Sequence, residues 1–534
     1  MRIGTGSARR ARAGAGRRRA TPYALDPEHV LRRLAQQSGT YALVNVVAKV
    51  SGIALMGLYG NEAVLSQGDF GFLGSLNATM MFALLVAGLG LPLGIIRFAS
   101  SPSLSGEERA AVPVTALGVA LVSAAVLGLA GWVLAPQAAA LQFGDPSRAD
   151  VMRWLVLFIA FKTVSEVSYT VLRQREKAGT FALVGAAEAL LLAALVAVFL
   201  LRGEGLAGVM KGYALSAAVV AAVVTPLLLM RVDRRARWSL LGPMLAFGMP
   251  LIVSGAAGRF LNLGDRYILQ YLVGEEAMAP YEWAARFGGV VNTMLAQSFT
   301  LAFTVLGLKS ADETGSFDLH RSAFRHFSTL AGWVVLGLAL FVADVSRLLT
   351  DNPAYIETEG LTLLIAAGFA FYGLYFVIVN VLYAAGRTRA VAGAVGAAAL
   401  LNLALTLVLI PTIGIAGAAV ATLVSYVVLS VVTARLGTVS GGGGYPWRAL
   451  ALVSALVVGL WAVAQPTADW PTLGRLAARA ALALAYLPGL VVLGVYRRED
   501  VDRALALVRR RREHDGSTTG DHPDVPTEAD GPAR

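Results

Sequence analysis

Unbroken apolar runs of about twenty residues recur along this chain, each closed by a short polar or basic turn. Strands of an outer-membrane barrel alternate apolar and polar positions over about ten residues. Windows of about twenty instead match helices long enough to cross a bilayer core. The pattern places spans at 39–59, 71–96, 112–134, 151–172, 180–201, 207–230, 242–272, 282–307, 325–346, 360–385, 390–410, 414–434, 447–465 and 474–496. The expected fold class is therefore all-α, a polytopic membrane protein with about 14 transmembrane helices.

The turns carry a charge pattern that orients these spans. One set holds Arg97 and Arg109; Arg173, Arg175 and Lys177; Arg231, Arg234, Arg235 and Arg237; Lys309, Arg321 and Arg325; Arg387 and Arg389; Arg435 and Arg448. The intervening turns are poorer: 60–69 and 411–413 have no basic residue, and 343–359 sets Arg347 against Asp344, Asp351, Glu357 and Glu359. Short cytoplasmic loops carry excess Lys and Arg, so the basic set and both Arg-rich termini are expected on the cytoplasmic side.

A second regularity is a repeat. Residues 205–209 read GLAGV and 414–418 read GIAGA, at an offset of 209 residues, and Gly60-Asn61-Glu62-Ala63 is echoed by Gly274-Glu275-Glu276-Ala277. So long an offset marks a duplicated half-protein and not a solenoid. Six spans separate the matching pieces, so the halves face the same way, and such duplication points to a transporter with its site between them. The expected organisation is a basic cytoplasmic tail (1–38), two pseudo-symmetric six-helix lobes (39–236 and 237–438), an accessory helix pair (439–498) and a cytoplasmic C-terminal tail (499–534). Gly441–Gly444 reads as a hinge before the accessory pair. In 499–512, Val501, Leu505 and Val508 share a helical face backed by Arg509–Arg512, which suits either the anionic inner leaflet or a solvated helix end.

Composition narrows the function classes. The chain is 56% hydrophobic and 15% charged over 534 residues, which places it in the membrane. Its net charge of +11 sits in tails and alternate loops, so it reports topology and not a nucleic-acid partner. With no cysteine there is no disulfide or thiolate chemistry. There is no phosphate-binding loop of the GxxxxGK[ST] type, no ligand cluster among five histidines and no nucleophile elbow. No cofactor or metal is expected, and the chain reads as neither an enzyme nor an ATP-driven pump.

Charges inside the spans carry the candidate chemistry, because each costs at least about 2.5–3.5 kcal/mol at mid-bilayer and needs a partner, a wet cavity or a role. In span 1, Tyr41, Asn45, Lys49 and Gly52 share a face, with Lys49 pointing into a cleft or paired to a carboxylate on a neighbouring helix. Span 7 carries Arg259, Asn262, Arg266 and Gln270 along one side of a helix expected to kink near Pro250, with Asp265 beside them. Spans 1 and 7 hold equivalent places in the two halves, so Lys49 and Arg259 are expected to face one another across a central cleft. Two cations there suit an anionic headgroup such as a diphosphate. For Arg266 a structural lock with Asp265 or another carboxylate is the competing reading. Span 4 holds Lys162, Glu166, Tyr169 and Arg173, and span 8 holds Glu282 and Arg286; each contains an i,i+4 opposite-charge pair able to satisfy itself. Glu188 in span 5 is a proton-linked carboxylate or the mate of Lys49 or Lys162. Arg97 reads as a snorkelling boundary residue, and Tyr372, Phe376, Asn380 and Tyr383 as core packing.

Several segments resemble polysaccharide flippases of the multidrug/oligosaccharidyl-lipid/polysaccharide superfamily. RTRAVAGAVGAAALLNLALTLVLIPTIGIAGAAVATLVSY at 387–426 is similar to that family's span 11–12 signature. TYALVNVVAKVSGIALMGLYG at 40–60 with GDFG at 68–71, GLGLPLGIIRF at 88–98 and GMPLIVSGAAGRFLNLGDRYILQYLVG at 248–274 resemble its first, second and seventh spans. The resemblance covers about residues 36–500, with spans 13 and 14 more divergent. It implies two six-helix lobes working by alternating access in the bacterial cytoplasmic membrane. The implied cargo is a polyprenyl-diphosphate-linked oligosaccharide, moved to the outer leaflet for surface polysaccharide biosynthesis. Lys49, Arg259 and Arg286 would hold the diphosphate, and only the Asp265-Arg266 dipeptide matches a motif position firmly. The implied partners are the lipid-linked oligosaccharide, the lipid bilayer, a coupling ion (H+ or Na+) and a polysaccharide polymerase or glycosyltransferases.

Three other readings stay open. A peptidoglycan-precursor flippase has a similar cationic cavity. A drug exporter of the same superfamily would carry an acidic residue early in span 1, where Asn45 and Lys49 stand. A non-transporting scaffold would not need polar stripes that converge.

Overall fold

The computed structural model describes residues 47–175, 177–230, 235–300, 303, 316–439 and 444–496. All regular structure among them is helical. The elements of the first half are α1 (Val47–Tyr59), α2 (Gln67–Ala87), α3 (Leu91–Ala99), α4 (Gly106–Val133), α5 (Ala135–Phe143), α6 (Ala149–Gln174), α7 (Ala178–Leu201) and α8 (Gly205–Leu229). Then follow α9 (Leu241–Leu263), α10 (Asp265–Val273), α11 (Glu275–Val290), α12 (Ser316–Leu349), α13 (Glu359–Ala384), α14 (Thr388–Ile413), α15 (Ile415–Val439), α16 (Trp447–Ala464) and α17 (Thr472–Val492). Among the described residues, 12 helices are long and apolar enough to cross a membrane. The first and eighth expected spans correspond to α1 and α11; the rest of each expected span lies wholly or partly outside the described residues. The terminal tails, the 499–512 helix and the tetraglycine hinge up to Gly443 also lie outside them.

Three local features depart from the sequence reading, each for a physical reason. The second expected span is two helices, because Leu89 and Gly90 take φ of +49° and +68°, and Pro92 then opens α3. The seventh is interrupted at Gly264 and not at Pro250, which lies inside α9. The phenyl ring of Phe260 packs over Gly264 so closely that a Cβ there would meet it at 2.9 Å. The eighth begins at Glu275 and not at 282: two acidic residues in a first turn complement the helix dipole and start a helix. A tighter-than-expected start also occurs at α4, where Ser105 and Glu108 form a reciprocal capping box.

The repeat is explained by a shared turn. Gly205 and Gly414 both take left-handed φ, +50° and +64°, a conformation that glycine adopts without steric penalty. Three residues on, Gly208 and Gly417 let the following helix press on the preceding one. A Cβ would lie 2.9 Å from the Phe199 side chain in one case and 2.5 Å from the Leu409 backbone in the other. The packing repeats as well. In the first half α6 packs on α4 and α8, and α7 on α8; in the second α13 packs on α12 and α15, and α14 on α15.

The halves meet along α2. Its N-terminal part lies against α11, where glycines permit backbone contact: a Cβ on Gly71 would sit 1.9 Å from the Glu275 carbonyl oxygen. Around this contact Tyr59, Phe70, Trp283 and Tyr355 form a ring cluster, with Trp283 stacked on Tyr355 at 4.6 Å. Asn352 donates to Glu62 at 2.7 Å and to Gln67 at 3.0 Å, and Thr350 to the Gly60 carbonyl at 2.7 Å. Beyond the C-terminal end of α2, Gly90 packs on Gly248 of α9, and Arg97 of α3 lies 4.6 Å from the ring centre of Phe247. The boundary arginine of the sequence reading is thus also an inter-half contact. Large apolar side chains remain exposed on the perimeter, such as Leu183 at 72%, Leu129 at 71% and Val492 at 86%. That is what a lipid-facing surface requires.

Candidate functional site

Two cavities lie between the halves. The larger, about 650 Å³, is walled by α2 and the α2–α3 turn, by Phe158, Lys162, Thr163 and Glu166 of α6, by Tyr213 of α8, and by Leu251, Gly255 and Arg259 of α9. The smaller, about 300 Å³, lies between α1 and α11 and is lined by Lys49, Gly52, Met56, Arg286, Thr293 and Gln297 among others.

The charges divide sharply between these places. In the larger cavity Lys162 Nζ donates to both oxygens of Glu188, at 2.9 and 3.0 Å, and stands 3.4 Å from Glu166. The Tyr169 hydroxyl donates to Glu188 at 2.6 Å. Glu188 is therefore held by a cation and a phenol, while Glu166 keeps its side chain 45% exposed to the cavity. Arg259 faces them from α9 and makes no ion pair among the described residues. Lys162, Glu166 and Arg259 line this cavity, and Glu188 behind Lys162 brings the cluster to formal neutrality.

The smaller cavity is not neutral. Lys49 and Arg286 line it, and among the described residues no carboxylate does. Arg286 makes no ion pair among the described residues, and its buried Nε has no hydrogen-bond partner. Its guanidinium rests on the rings of Tyr59 and Phe70, 5.0 and 5.2 Å from their centres. Such stacking fixes the plane of the group while leaving its N–H donors for an anion.

The expected self-pairing of Glu282 with Arg286 is replaced by a pairing across helices. Glu282 accepts from Arg266 Nε at 2.8 Å, Arg266 Nη1 donates to Asp265 at 2.8 Å and to the Asn262 carbonyl at 3.1 Å, and the Tyr281 hydroxyl donates to Asp265. Arg266, Asp265 and Glu282 are all buried, and none lines either cavity. The turn at Gly264 rotates α10 against α9, so the stripe of span 7 splits. Arg259 looks into the larger cavity, Asn262 accepts from Tyr426 at 2.6 Å, and Gln270 bonds to Gln142 of α5. The expected facing of Lys49 and Arg259 is not found: they line separate cavities, because α11 crosses α2 and brings Arg286 to Lys49. Asn45 lies outside the described residues. Tyr372 stacks on Tyr426 at 4.7 Å within the second half.

Two polar networks had no place in the sequence reading. Thr79 contacts Tyr267 at 2.9 Å, and Gln142 donates to Ser75 and Gln270, each at 3.1 Å. This ties α2 and α5 to α10; the only sequence signal was a glutamine in an apolar turn. The other is ionic. Arg479 of α17, 1% exposed, reaches Asp344 at 3.0 Å and Glu359 at 2.9 Å, and Arg475 reaches Asp344 at 2.7 Å. Asp344 belongs to α12 and not to the following loop. Arginines four apart in an apolar helix were the available sign of a buried face.

The family model described as polysaccharide biosynthesis protein matches residues 34–304, just over half of the chain. No curated protein matches the sequence. Among solved structures the fold is similar to the lipid II flippase MurJ in its inward closed conformation, with TM-score 0.68 and 13% identity, covering 84% of this chain and 98% of that one. It is also similar to an inward-facing multidrug resistance MATE family transporter of the MOP superfamily (TM-score 0.60, 18% identity, 74% and 94% covered) and to the MATE multidrug transporter DinF-BH (0.55, 16%, 77% and 96%). On the family match, and with a fold shared with these multi-pass transporters, the chain belongs to the polysaccharide biosynthesis protein family.

Proposed function

We propose that this protein is a flippase that moves a polyprenyl-diphosphate-linked oligosaccharide across the bacterial cytoplasmic membrane by alternating access. The observation that carries the reading is the cavity lined by Lys49 and Arg286 with no acidic residue among the described ones. Two cations with no carboxylate partner among the described residues, deep in an apolar bundle, are unfavourable unless an anion completes them, and a diphosphate matches both the point charge of lysine and the planar fork of arginine. Arg259 on the neighbouring cavity is a second contact for the same headgroup. The larger cavity falls within the range of about 300–1,000 Å³ of small-ligand sites, so it suits the headgroup, and a long glycan requires a more open state. The contacts between α2 and α11 then act as the gate on the outer side, with sidedness taken from the loop charges. The cluster of Lys162, Glu166 and Glu188 is the place for ion coupling, because Glu166 is exposed to the cavity and coupled to a buried lysine.

The likeness to MurJ favours one alternative, a peptidoglycan precursor as cargo, which carries the same diphosphate. Purified protein in vesicles, given fluorescent polyprenyl-diphosphate lipids bearing either glycan, decides between them. Lys49→Ala, Arg259→Ala and Arg286→Ala should each reduce flipping without loss of folded protein. Unchanged flipping in all three would end the anion-cavity mechanism.

A further inference from the structure

Each half carries an apolar groove on its outer flank, and the two grooves are the same feature repeated. In the second half the groove is walled by α12, α13 and α15, and in the first by α4, α6 and α8. The match extends to register: Leu157, Ala160, Phe161 and Val164 of α6 line one, and Ala367, Ala370, Phe371 and Leu374 of α13, each 210 residues further on, line the other.

Their coverings differ. In the second half α16 forms a fourth wall, with Val453 and Val457 packed on α12. Gly332 lets it approach so closely that a Cβ there would meet Val453 at 2.6 Å. The floor is buried in both grooves, Leu374 at 2% and its counterpart Val164 at 3%, so the difference between them is the fourth wall. In the first half nothing in the chain's described residues covers the groove, which encloses about 710 Å³. Leu121, Trp132 and Phe161 on its walls are 45%, 43% and 37% exposed.

The occupant's chemistry follows from the walls. Among the described residues lining the groove only Thr225 and the Trp132 indole carry a polar side-chain atom, and the Thr225 hydroxyl is already engaged with Ser168 at 2.9 Å. An occupant must therefore bring no unsatisfied polar group, which in a bilayer means a helix or a lipid tail. The cargo's tail is a poor fit, since Phe158, Lys162 and Thr163 face the central cavity from one side of α6 while the groove lies on the other. Small residues at Ala125 and Gly128 on α4 and at Ala218 and Ala222 on α8 allow close approach of a helix backbone, as Gly332 does for α16. We propose that the groove of α4, α6 and α8 docks one apolar transmembrane helix of a partner membrane protein, as α16 docks in the other half.

A photo-cross-linking residue placed at Ala125 in the full-length protein, in its native membrane, tests this. A second copy of the experiment places it at Leu183 on the lipid-facing side of α7. The expected result is a discrete adduct at 125 and not at 183, whose cross-linked peptide maps to an apolar transmembrane helix of an identified protein. Ala222→Trp, which fills the groove, should abolish that adduct, and Val126→Trp, which points away from it, should not. Ala222→Phe serves the same purpose if the tryptophan variant fails to fold. Flipping by purified Ala222→Trp in vesicles should be unchanged. Equal adducts at 125 and 183, adducts with lipid alone, or an adduct with a second copy of this chain would each overturn the proposal.

Discussion

Arg266 and Arg286 carry the same charge on neighbouring helices, yet leucine in place of each is expected to have opposite effects. Arg266 is buried between Asp265 and Glu282, both at 2.8 Å. Its removal strands two carboxylates, and breaking a buried pair in this way costs about 3–5 kcal/mol. Arg286 has no carboxylate partner among the described residues. Its replacement loses two ring contacts worth about 0.5–1 kcal/mol each, and it also removes a buried Nε whose missing hydrogen bond costs about 1–3 kcal/mol. The net change in stability is close to zero. Transport should show the reverse order. A charge-assisted bond to a diphosphate is worth about 1.5–3 kcal/mol, so Arg286→Leu should weaken cargo binding by about ten- to a hundredfold. Thermal unfolding of detergent-solubilised protein followed by tryptophan fluorescence, together with vesicle flipping normalised to folded protein, separates the two effects. If Arg286→Leu unfolds as readily as Arg266→Leu, or flips cargo at the parental rate, the division into lock and ligand site is refuted.

Three further outcomes follow from particular contacts. Gly71→Leu places side-chain atoms where the Glu275 carbonyl stands, so the α2–α11 contact cannot form. A cysteine introduced at Asn77 in this cysteine-free chain should then react faster with an impermeant maleimide from outside, and an unchanged rate would count against the gate. Lys162→Met leaves Glu188 buried without its cation and should cost about 3–5 kcal/mol, whereas Lys162→Met combined with Glu188→Met should recover most of it in the same unfolding assay. Arg479→Leu strands Glu359 and leaves Asp344 to Arg475 and Arg347, and limited proteolysis between α15 and α16 should accelerate; equal cleavage rates would show that α17 does not depend on the Arg479 ion pairs for its anchoring.

The helical character, the approximate spans and the duplication were legible in the chain because each is a local or periodic signal. Apolar length reports a bilayer crossing, and a left-handed glycine after one helix and before the next recurs in kind between GLAGV and GIAGA. Partnership among charges was not legible. Helical spacing puts Glu282 within reach of Arg286 and equally lets it turn toward another helix, and the choice went to Arg266 because the break at Gly264 aims α10 at α11. The same break scattered the polar stripe of span 7 over a cavity, a tyrosine and a glutamine network. Sequence alone determined which residues are too costly to leave in lipid. Only the packing of non-adjacent helices decided which of them are neutralised and which remain as open cations, since that depends on distances of a few ångströms between segments far apart in the chain.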